Sequence, residues 1–245
     1  MPLLFAFSAA HAWNVETTST GDPLRWIEMP IAWSFVPEGA PPLDDLHGAV
    51  SAAFDAWSEV AETDVSFVEE VVEIDAATSE HDLVNLVYFD DAWPEGEPAL
   101  ALASTWSHPD GDLLGFDIRL DAFADWSTGG DGDAYDLQAA LTHEIGHTLG
   151  LEHSDVVDAT MFGVHARGED WRRELHPDDE DALRHLYGQR RLDDAGSALV
   201  DGGSVAPVPG RVPASCGLSQ PRAWTLLHAA FLLLSIRIRG RVTGR

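Results

Sequence analysis

The sequence predicts an α+β fold in which helices cover one face of a twisted, mixed sheet. Short segments with the pattern of strands fill the first half of the chain, and one helical segment follows the first strand while two more follow the last. The 245 residues are enough for one enzyme-sized domain with appendages.

Five segments are predicted to form the sheet. The first is a short β-rich run between prolines, which mark turns on both sides of it. The others either alternate apolar and polar side chains or form the short apolar runs that are typical of buried strands. In chain order, the predicted strands are residues 31–36, 64–69, 83–89, 100–106 and 115–120.

The first helix is predicted to begin at Asp44 or Asp45 and to end near Thr63. Its apolar side chains recur at helical spacing and form one stripe, which we interpret as core rather than as a binding surface. The stripe consists of Leu46, Val50, Ala53, Phe54, Trp57, Val60 and Ala61.

The second predicted helix contains the candidate metal ligands and catalytic residue, in the pattern H-E-x-x-H. His143 and His147 are four residues apart, so a helix places both imidazoles on one face and directs them at one point, as a metal site requires. Asp136 is the expected N-cap of this helix. Glu144 is predicted to lie beside the metal without being a ligand.

A third ligand has to come from beyond this helix, because a straight helix cannot bring a residue at position 153 to the same ion. Gly150 is where the chain can turn, since glycine accepts the left-handed conformation that ends helices. His153 would then fold back onto the metal. Three neutral imidazoles are the ligands of a catalytic zinc, with the fourth position left for water.

The extended pattern H-E-x-x-H-x-x-G-x-x-H resembles that of the metzincin metalloproteases. Residues 153–162 resemble the matrixin branch in particular, with Ser154 after the third histidine and Met161 at the position of the methionine turn. The resemblance covers roughly residues 25–188 and includes a capped closing helix at 175–188. Other metzincin branches remain open.

The resemblance implies a matrixin-like catalytic domain that hydrolyses peptide bonds with one catalytic zinc. It implies that His143, His147 and His153 hold the zinc and that Glu144 is the general base. A protein or peptide substrate would lie extended along residues 100–106, and the side chain after the cut would enter a pocket walled by residues 162–171. Gly163 replaces the proline usual in matrixins, which predicts a looser wall.

The same resemblance has implications for further metal sites. Matrixins commonly carry a structural zinc, but Ser104 and Arg119 stand near its ligand positions, so we expect none here. Asp117 and Asp121 match acidic positions that hold calcium in the family and make Ca²⁺ a candidate ligand, with the loop 131–133 as a weaker candidate. The remaining histidines are expected at the surface or in packing: His47, His81, His108, His165, His176 and His185.

The net charge of the chain is −28, with 42 acidic residues, 14 arginines and no lysine. Such an acidic protein is a poor partner for nucleic acid or anionic membrane, and we expect a monomer. Two other functions stay open at this point. One is a catalytically silent zinc-binding surface or adhesion protein, and the other is an acidic, calcium-stabilised binding module.

The two ends of the chain predict export. Residues 1–12 end in Ala10-x-Ala12, the small-residue pattern of a signal-peptidase site. The catalytic domain is assigned to residues 13–190, followed by a linker rich in Gly, Pro, Ser and Val at 191–215. The final segment, 216–245, has one cysteine, an apolar run and arginines, and it resembles the C-terminal sorting tags of myxobacterial surface proteins. We therefore expect a secreted or surface-displayed protein with a transient membrane anchor.

Overall fold

The computed structural model describes residues 12–72, 84–94 and 97–188. Its main sheet has five strands in the order β2-β1-β3-β5-β4. Neighbouring strands are parallel except β4, which runs antiparallel to β5 at one end of the sheet. The strands are β1 (Ile31–Val36), β2 (Phe67–Glu69), β3 (Leu86–Asp90), β4 (Ala101–Ser107) and β5 (Leu113–Asp121).

Three α-helices accompany the sheet: α1 (Leu46–Ser58), α2 (Leu137–Thr148) and α3 (Pro177–Leu183). A π-helical turn continues α3 over Arg184–Gly188, and a 3-10 turn spans Asp170–Arg173. Two very short strands, β6 (Trp126–Ser127) and β7 (Tyr135–Asp136), pair in parallel just before α2 and were not predicted.

The mixed five-stranded sheet is confirmed, and the boundaries of some elements are corrected. The strand predicted at 64–69 is shorter because β1 pairs with Phe67–Glu69 alone. The first helix ends at Ser58 rather than near Thr63. Its continuation is interrupted at Glu62, whose φ of 69° is incompatible with a right-handed helix.

Aromatic side chains join α1 to the sheet. Trp33 of β1 stacks on Phe54 of α1 with ring centroids 3.9 Å apart, and Phe67 meets the same ring edge-on at 4.9 Å. The buried indole of Trp57 donates a hydrogen bond to the carbonyl of Thr142 at 2.8 Å and so connects α1 to α2. The predicted stripe therefore faces the core at Val50, Ala53, Phe54 and Trp57, whereas Ala61 lies beyond the end of α1 and is exposed.

The C-terminal turn holds the end of α2. The buried hydroxyl of Tyr187 donates to the carbonyl of Leu149 at 2.9 Å and accepts from the backbone N–H of Trp26 at 3.2 Å. The indole of Trp26 donates in turn to the carbonyl of Thr148 at 2.8 Å. Carbonyl groups at a helix end have no partner within the helix, and here two distant segments satisfy them.

Several predicted segments lie outside the described residues: residues 1–11 of the signal peptide, the linker at 191–215 and the segment 216–245. Among the residues that are described, no helix combines the length and apolar character that crossing a membrane requires.

Replacing Tyr187 by phenylalanine is expected to destabilise the fold. The change removes the hydroxyl that pairs with Leu149 and Trp26, which leaves two buried backbone groups without that partner. We expect a loss of about 1–3 kcal/mol in the free energy of unfolding, measured by urea titration. Tyr135→Phe is the control, because its hydroxyl pairs with the exposed Arg167 and its loss should leave the midpoint unchanged. Equal midpoints for both variants would contradict the account.

Candidate active site

The start of α2 is anchored by Asp136, as predicted. Its Oδ1 accepts the N–H of Ala139 at 2.9 Å, which is the N-cap hydrogen bond. The same buried carboxylate binds the guanidinium of Arg173 through both oxygens, at 2.9 and 2.6 Å. This bidentate ion pair connects the N-terminus of α2 to the 3-10 turn that follows the histidine motif.

His143 and His147 lie on one face of α2 with their Nε2 atoms 3.2 Å apart. The Nδ1–H of His143 donates to the carbonyl of Thr160, and that of His147 donates to the carbonyl of Leu151, both at 2.7 Å. These bonds assign the proton of each neutral ring to Nδ1, so the lone pair is on Nε2. Both rings therefore present an unprotonated nitrogen to the same point.

His153 reaches this point because the chain turns sharply after α2. Gly150 has a φ of 87°, and a Cβ at this position would lie 2.1 Å from the carbonyl oxygen of Leu24. Only glycine fits both the left-handed conformation and the close backbone contact. The ring of His153 then lies 5.2 Å from that of His143 and 5.0 Å from that of His147, measured between centroids.

The three histidines fit a zinc ion. One nitrogen of each ring lies within 4.8 Å of the others, and no other such convergence of three or more His, Cys, Asp or Glu side chains occurs among the residues described. Two nitrogen ligands at roughly 2.0–2.1 Å from a tetrahedral zinc lie about 3.3 Å apart, close to the spacing of the first two Nε2 atoms. The set leaves one coordination position for water.

Burial keeps the rings of His143 and His147 neutral, as metal ligation requires. Desolvation, followed by the proximity of His147, holds the pKa of His143 well below its ordinary value. Desolvation also lowers the pKa of His147 to about 4. Neither ring has to lose a proton before it binds a cation at neutral pH.

Met161 lies beneath the histidines, buried and in contact with α2. A Cβ at Gly146 would lie 2.2 Å from the sulfur of Met161 and 2.9 Å from the ring of Trp57. The residue before His147 is therefore not free to vary, since it has to be glycine for the methionine to pack here. This role of Gly146 was not predicted from the sequence.

The turn that contains Met161 is held by Asp179 of α3. This buried carboxylate accepts the backbone N–H groups of Thr160, Met161 and His176 at 2.8, 3.0 and 2.9 Å. Burial raises the pKa of Asp179, and the three N–H groups oppose that change by favouring the charged form. The turn thus positions the Thr160 carbonyl that orients His143.

Glu144 points from α2 toward β4. Its Oε2 accepts the N–H of Ala103 at 2.7 Å. Burial raises the pKa of the Glu144 carboxyl from 4.5 to about 7, against the opposing effect of that hydrogen bond. A carboxyl with this pKa can both take up and release a proton near neutral pH.

A cleft of about 620 Å³ contains these groups. Its walls include Leu100 to Ala103 from β4 and the segment before it, the three histidines, Glu144, and residues 163–165 beyond the methionine turn. The cleft therefore has a sheet edge on one side and the metal ligands on the other, which suits an extended chain rather than a compact small molecule.

A comparison with protein families shows to which family a chain with this arrangement belongs. The model of the matrixin peptidases matches residues 25–188, which cover most of the chain. The chain belongs to the matrixin family. That result agrees with the range and the branch expected from the histidine motif and Met161.

Curated relatives agree with this assignment. The chain is 30% identical over 191 residues to Metalloendoproteinase 5-MMP of Arabidopsis thaliana, covering 74% of this chain and 48% of the relative. It is 30% identical over 201 residues to Stromelysin-2 of Rattus norvegicus, covering 80% and 39%, and 34% identical over 100 residues to Matrilysin of Homo sapiens, covering 41% and 36%. The chain spans about half or less of the length of these matrixins.

Gly163, the glycine that departs from the usual matrixin sequence, lies against the third histidine. A Cβ at Gly163 would lie 2.7 Å from Nδ1 of His153. The absence of a side chain lets the backbone of Gly163 pack directly against the third histidine, and the looser wall stays a prediction.

The positions of two residues in the cleft were not predicted from the sequence. His165 was expected at the surface or in packing, but its ring lies 4.9 Å from that of His143, and burial and Arg172 lower its pKa to about 4. Glu16 lines the same cleft, with Oε1 3.8 Å from Nδ1 of His147. Burial and Glu152 raise the pKa of Glu16 to about 7.

The calcium candidates Asp117 and Asp121 both lie on β5. Oδ1 of the buried Asp117 accepts the N–H of Leu86 at 3.3 Å, and Oδ1 of Asp121 accepts the N–H of Phe123 at 2.8 Å. Near them, Arg119 forms an ion pair with Asp90 at 3.1 Å. Calcium at Asp117 and Asp121, and the expectation of no structural zinc near Ser104 and Arg119, stay predictions.

Gly146→Ala is expected to destabilise this matrixin domain. Alanine favours helices over glycine by about 1 kcal/mol, but the added methyl would overlap Met161 and Trp57 in a packed interior. We expect a net loss of about 1–3 kcal/mol, which corresponds to about 2–4 °C in melting temperature per kcal/mol for a domain of this size.

Differential scanning calorimetry would measure this effect. Gly132→Ala is the matched control, because a Cβ there meets nothing within 4 Å and the melting temperature should not change. In a Met161→Ala background, Gly146→Ala should cost less than in the parent. A higher melting temperature for Gly146→Ala alone, as helix propensity predicts, would show that the contact with Met161 does not constrain the helix.

Proposed function

We propose that this matrixin is a zinc-dependent endopeptidase that hydrolyses peptide bonds in proteins or peptides. One observation carries the proposal: three converging imidazoles and a buried carboxyl with a pKa near neutrality line the same cleft beside a sheet edge. Metal ligands, a proton acceptor and a place for an extended chain are the three requirements of this reaction.

In this proposal, His143, His147 and His153 hold the zinc through one nitrogen each. The hydrogen bonds from Nδ1 to Thr160 and Leu151 keep the first two rings in the required orientation. When bound, zinc acts as a Lewis acid that activates water and polarises the scissile carbonyl. Met161 supports the ligands from below and takes no part in the chemistry.

Glu144 moves the proton. Its carboxylate takes a proton from the attacking water and then donates it to the nitrogen of the leaving amine, so it acts first as base and then as acid. The pKa of about 7 that burial produces suits both steps. The hydrogen bond from Ala103 holds one carboxyl oxygen and leaves the other for the transfer.

The substrate is proposed to lie along β4. This strand is at the end of the sheet order and forms one wall of the cleft, so an extended peptide can add to it through main-chain hydrogen bonds. Because Ala103 of the same strand holds Glu144, the substrate backbone and the proton acceptor share one rigid support.

We also propose that the protein is exported. The Ala10-x-Ala12 pattern and the arginine-flanked apolar run of the C-terminal segment support a secreted or surface-displayed protein, held transiently at a membrane by residues 216–245. The net charge of −28 argues against nucleic acid as a partner, and the protein is expected to act as a monomer. Calcium is proposed only as a stabilising ligand near Asp117 and Asp121.

Glu144→Gln is expected to abolish most cleavage while zinc stays bound. The amide cannot accept the proton of water, so kcat/KM on a quenched fluorescent peptide library should fall by about 10²- to 10⁴-fold. Zinc measured by mass spectrometry should remain at one ion per chain in both proteins. Glu152→Gln is the control, because this exposed carboxylate has no part in the proposed mechanism.

Three outcomes separate the candidate functions. Cleavage by the parent and by Glu152→Gln, but not by Glu144→Gln, supports the endopeptidase. Undiminished cleavage by Glu144→Gln contradicts the assigned base. Zinc binding by all three proteins without cleavage of any peptide favours the catalytically silent surface protein.

A further inference from the structure

His153 differs from the other two histidines of the site in how it is held. The rings of His143 and His147 belong to α2, and backbone carbonyls orient both of them. His153 lies on the segment after the helix and is exposed, and its own backbone carbonyl makes the hydrogen bond that connects it to the rest of the fold. The direction of this third imidazole therefore depends on what fixes its backbone.

Residues 12–16, which we call the N-terminal strap, lie antiparallel to residues 150–155, the segment that contains His153. Val15 and Leu151 form an antiparallel bridge in the middle of this contact. The strap follows the whole length of the ligand-bearing segment. Three main-chain hydrogen bonds join the two: Glu16 N–H to Gly150 C=O at 2.8 Å, Glu152 N–H to Asn14 C=O at 3.0 Å and Asp155 N–H to Ala12 C=O at 3.1 Å.

The strap is itself anchored at both ends. At one end, the ring of Trp13 packs against that of His185 in the π-helical turn, with centroids 4.7 Å apart. At the other end the chain folds back, and the N–H of Leu24 donates to the carbonyl of Glu16 at 2.9 Å. Leu24 also supplies the carbonyl that restricts position 150 to glycine. The strap is therefore a fixed part of the domain.

Asn14 is the residue of the strap that reaches His153 itself. Its backbone carbonyl accepts the N–H of Glu152, and its side-chain amide donates through Nδ2 to the carbonyl of His153 at 3.2 Å. One residue therefore holds the main chain just before and just after the third histidine. A side chain that only accepts hydrogen bonds could not pair with this carbonyl.

We propose that Asn14 is a positioning residue for the third zinc ligand, because it holds the backbone of His153 where the imidazole faces the same point as those of His143 and His147. The inference rests on the proposed endopeptidase function, in which these three histidines bind the zinc. A ligand on an exposed segment loses conformational freedom when it binds a metal, and a segment that is already held loses less. Removing the amide should therefore weaken zinc binding although every ligand is still present.

Asn14→Ala removes this amide, and competition with a chromophoric chelator measures the affinity of the full-length protein for zinc. We expect the dissociation constant for zinc to rise by about 3- to 10-fold, because one exposed hydrogen bond contributes modestly to the position of the ligand. Thr20→Ala is the matched control. Its hydroxyl also makes an exposed hydrogen bond, to Asp22 at 2.7 Å, but within the turn at 18–22, so its loss should leave the affinity for zinc unchanged.

A double-mutant cycle shows whether Asn14 acts through His153. In the His153→Ala protein the third imidazole is absent, so adding Asn14→Ala should leave the remaining affinity for zinc unchanged. A merely structural role would lower the affinity in both backgrounds. Cobalt(II) in place of zinc gives a second readout, because its visible absorption depends on the number and geometry of its ligands. Asn14→Ala should alter the absorption bands of the parent, and Thr20→Ala should not.

Unchanged zinc affinity in Asn14→Ala, or an equal loss in the His153→Ala background, overturns the role of Asn14 and leaves the zinc site intact. A parent that binds no zinc, or that binds it no better than His153→Ala, overturns the zinc site and the proposed function as well. Should Asn14→Ala not fold, Asn14→Asp replaces it, since aspartate has the same shape but no N–H donor. Its added charge is present in both backgrounds and cancels in the cycle, so the same difference between backgrounds is expected.

Discussion

The structure depends on bringing three imidazoles to one point when a helix face can supply only two. His143 and His147 come from α2, and the third ligand requires the chain to reverse within a few residues. The carbonyl of Leu24 leaves room for glycine alone at position 150, and the next residue, Leu151, turns its carbonyl back onto His147. The turn that delivers His153 therefore also orients an earlier ligand.

A second constraint acts from below the ligands. Asp179 gathers three backbone N–H groups and fixes the methionine turn, whose Thr160 carbonyl orients His143 and whose Met161 packs on Gly146. Asp179, far along the chain from His143, thus orients the imidazole of His143 indirectly, through the backbone of the methionine turn. The cost of burying this charge is offset by its three hydrogen bonds, and the result is a rigid support for the metal site.

Local patterns made much of the fold and site predictable. The order of strands, the N-cap at Asp136 and the turn at Gly150 follow from alternation, helical spacing and glycine conformation, which are properties of neighbouring residues. What was missed depends on contacts between distant segments. Gly146 inside a helix was a signal for close packing, but its partner Met161 could not be read from the sequence. The position of His165 beside His143 likewise required the folded chain.

The most direct test of the account is the coordination of zinc in the full-length protein. X-ray absorption at the zinc edge, recorded with one equivalent of zinc, reports the type and number of the ligand atoms and their distances. We expect three imidazole nitrogens and one oxygen at roughly 2.0–2.1 Å, with one nitrogen lost in His153→Ala. A shell that contains sulfur from Cys216, or one dominated by carboxylate oxygens and unchanged in His153→Ala, would contradict it.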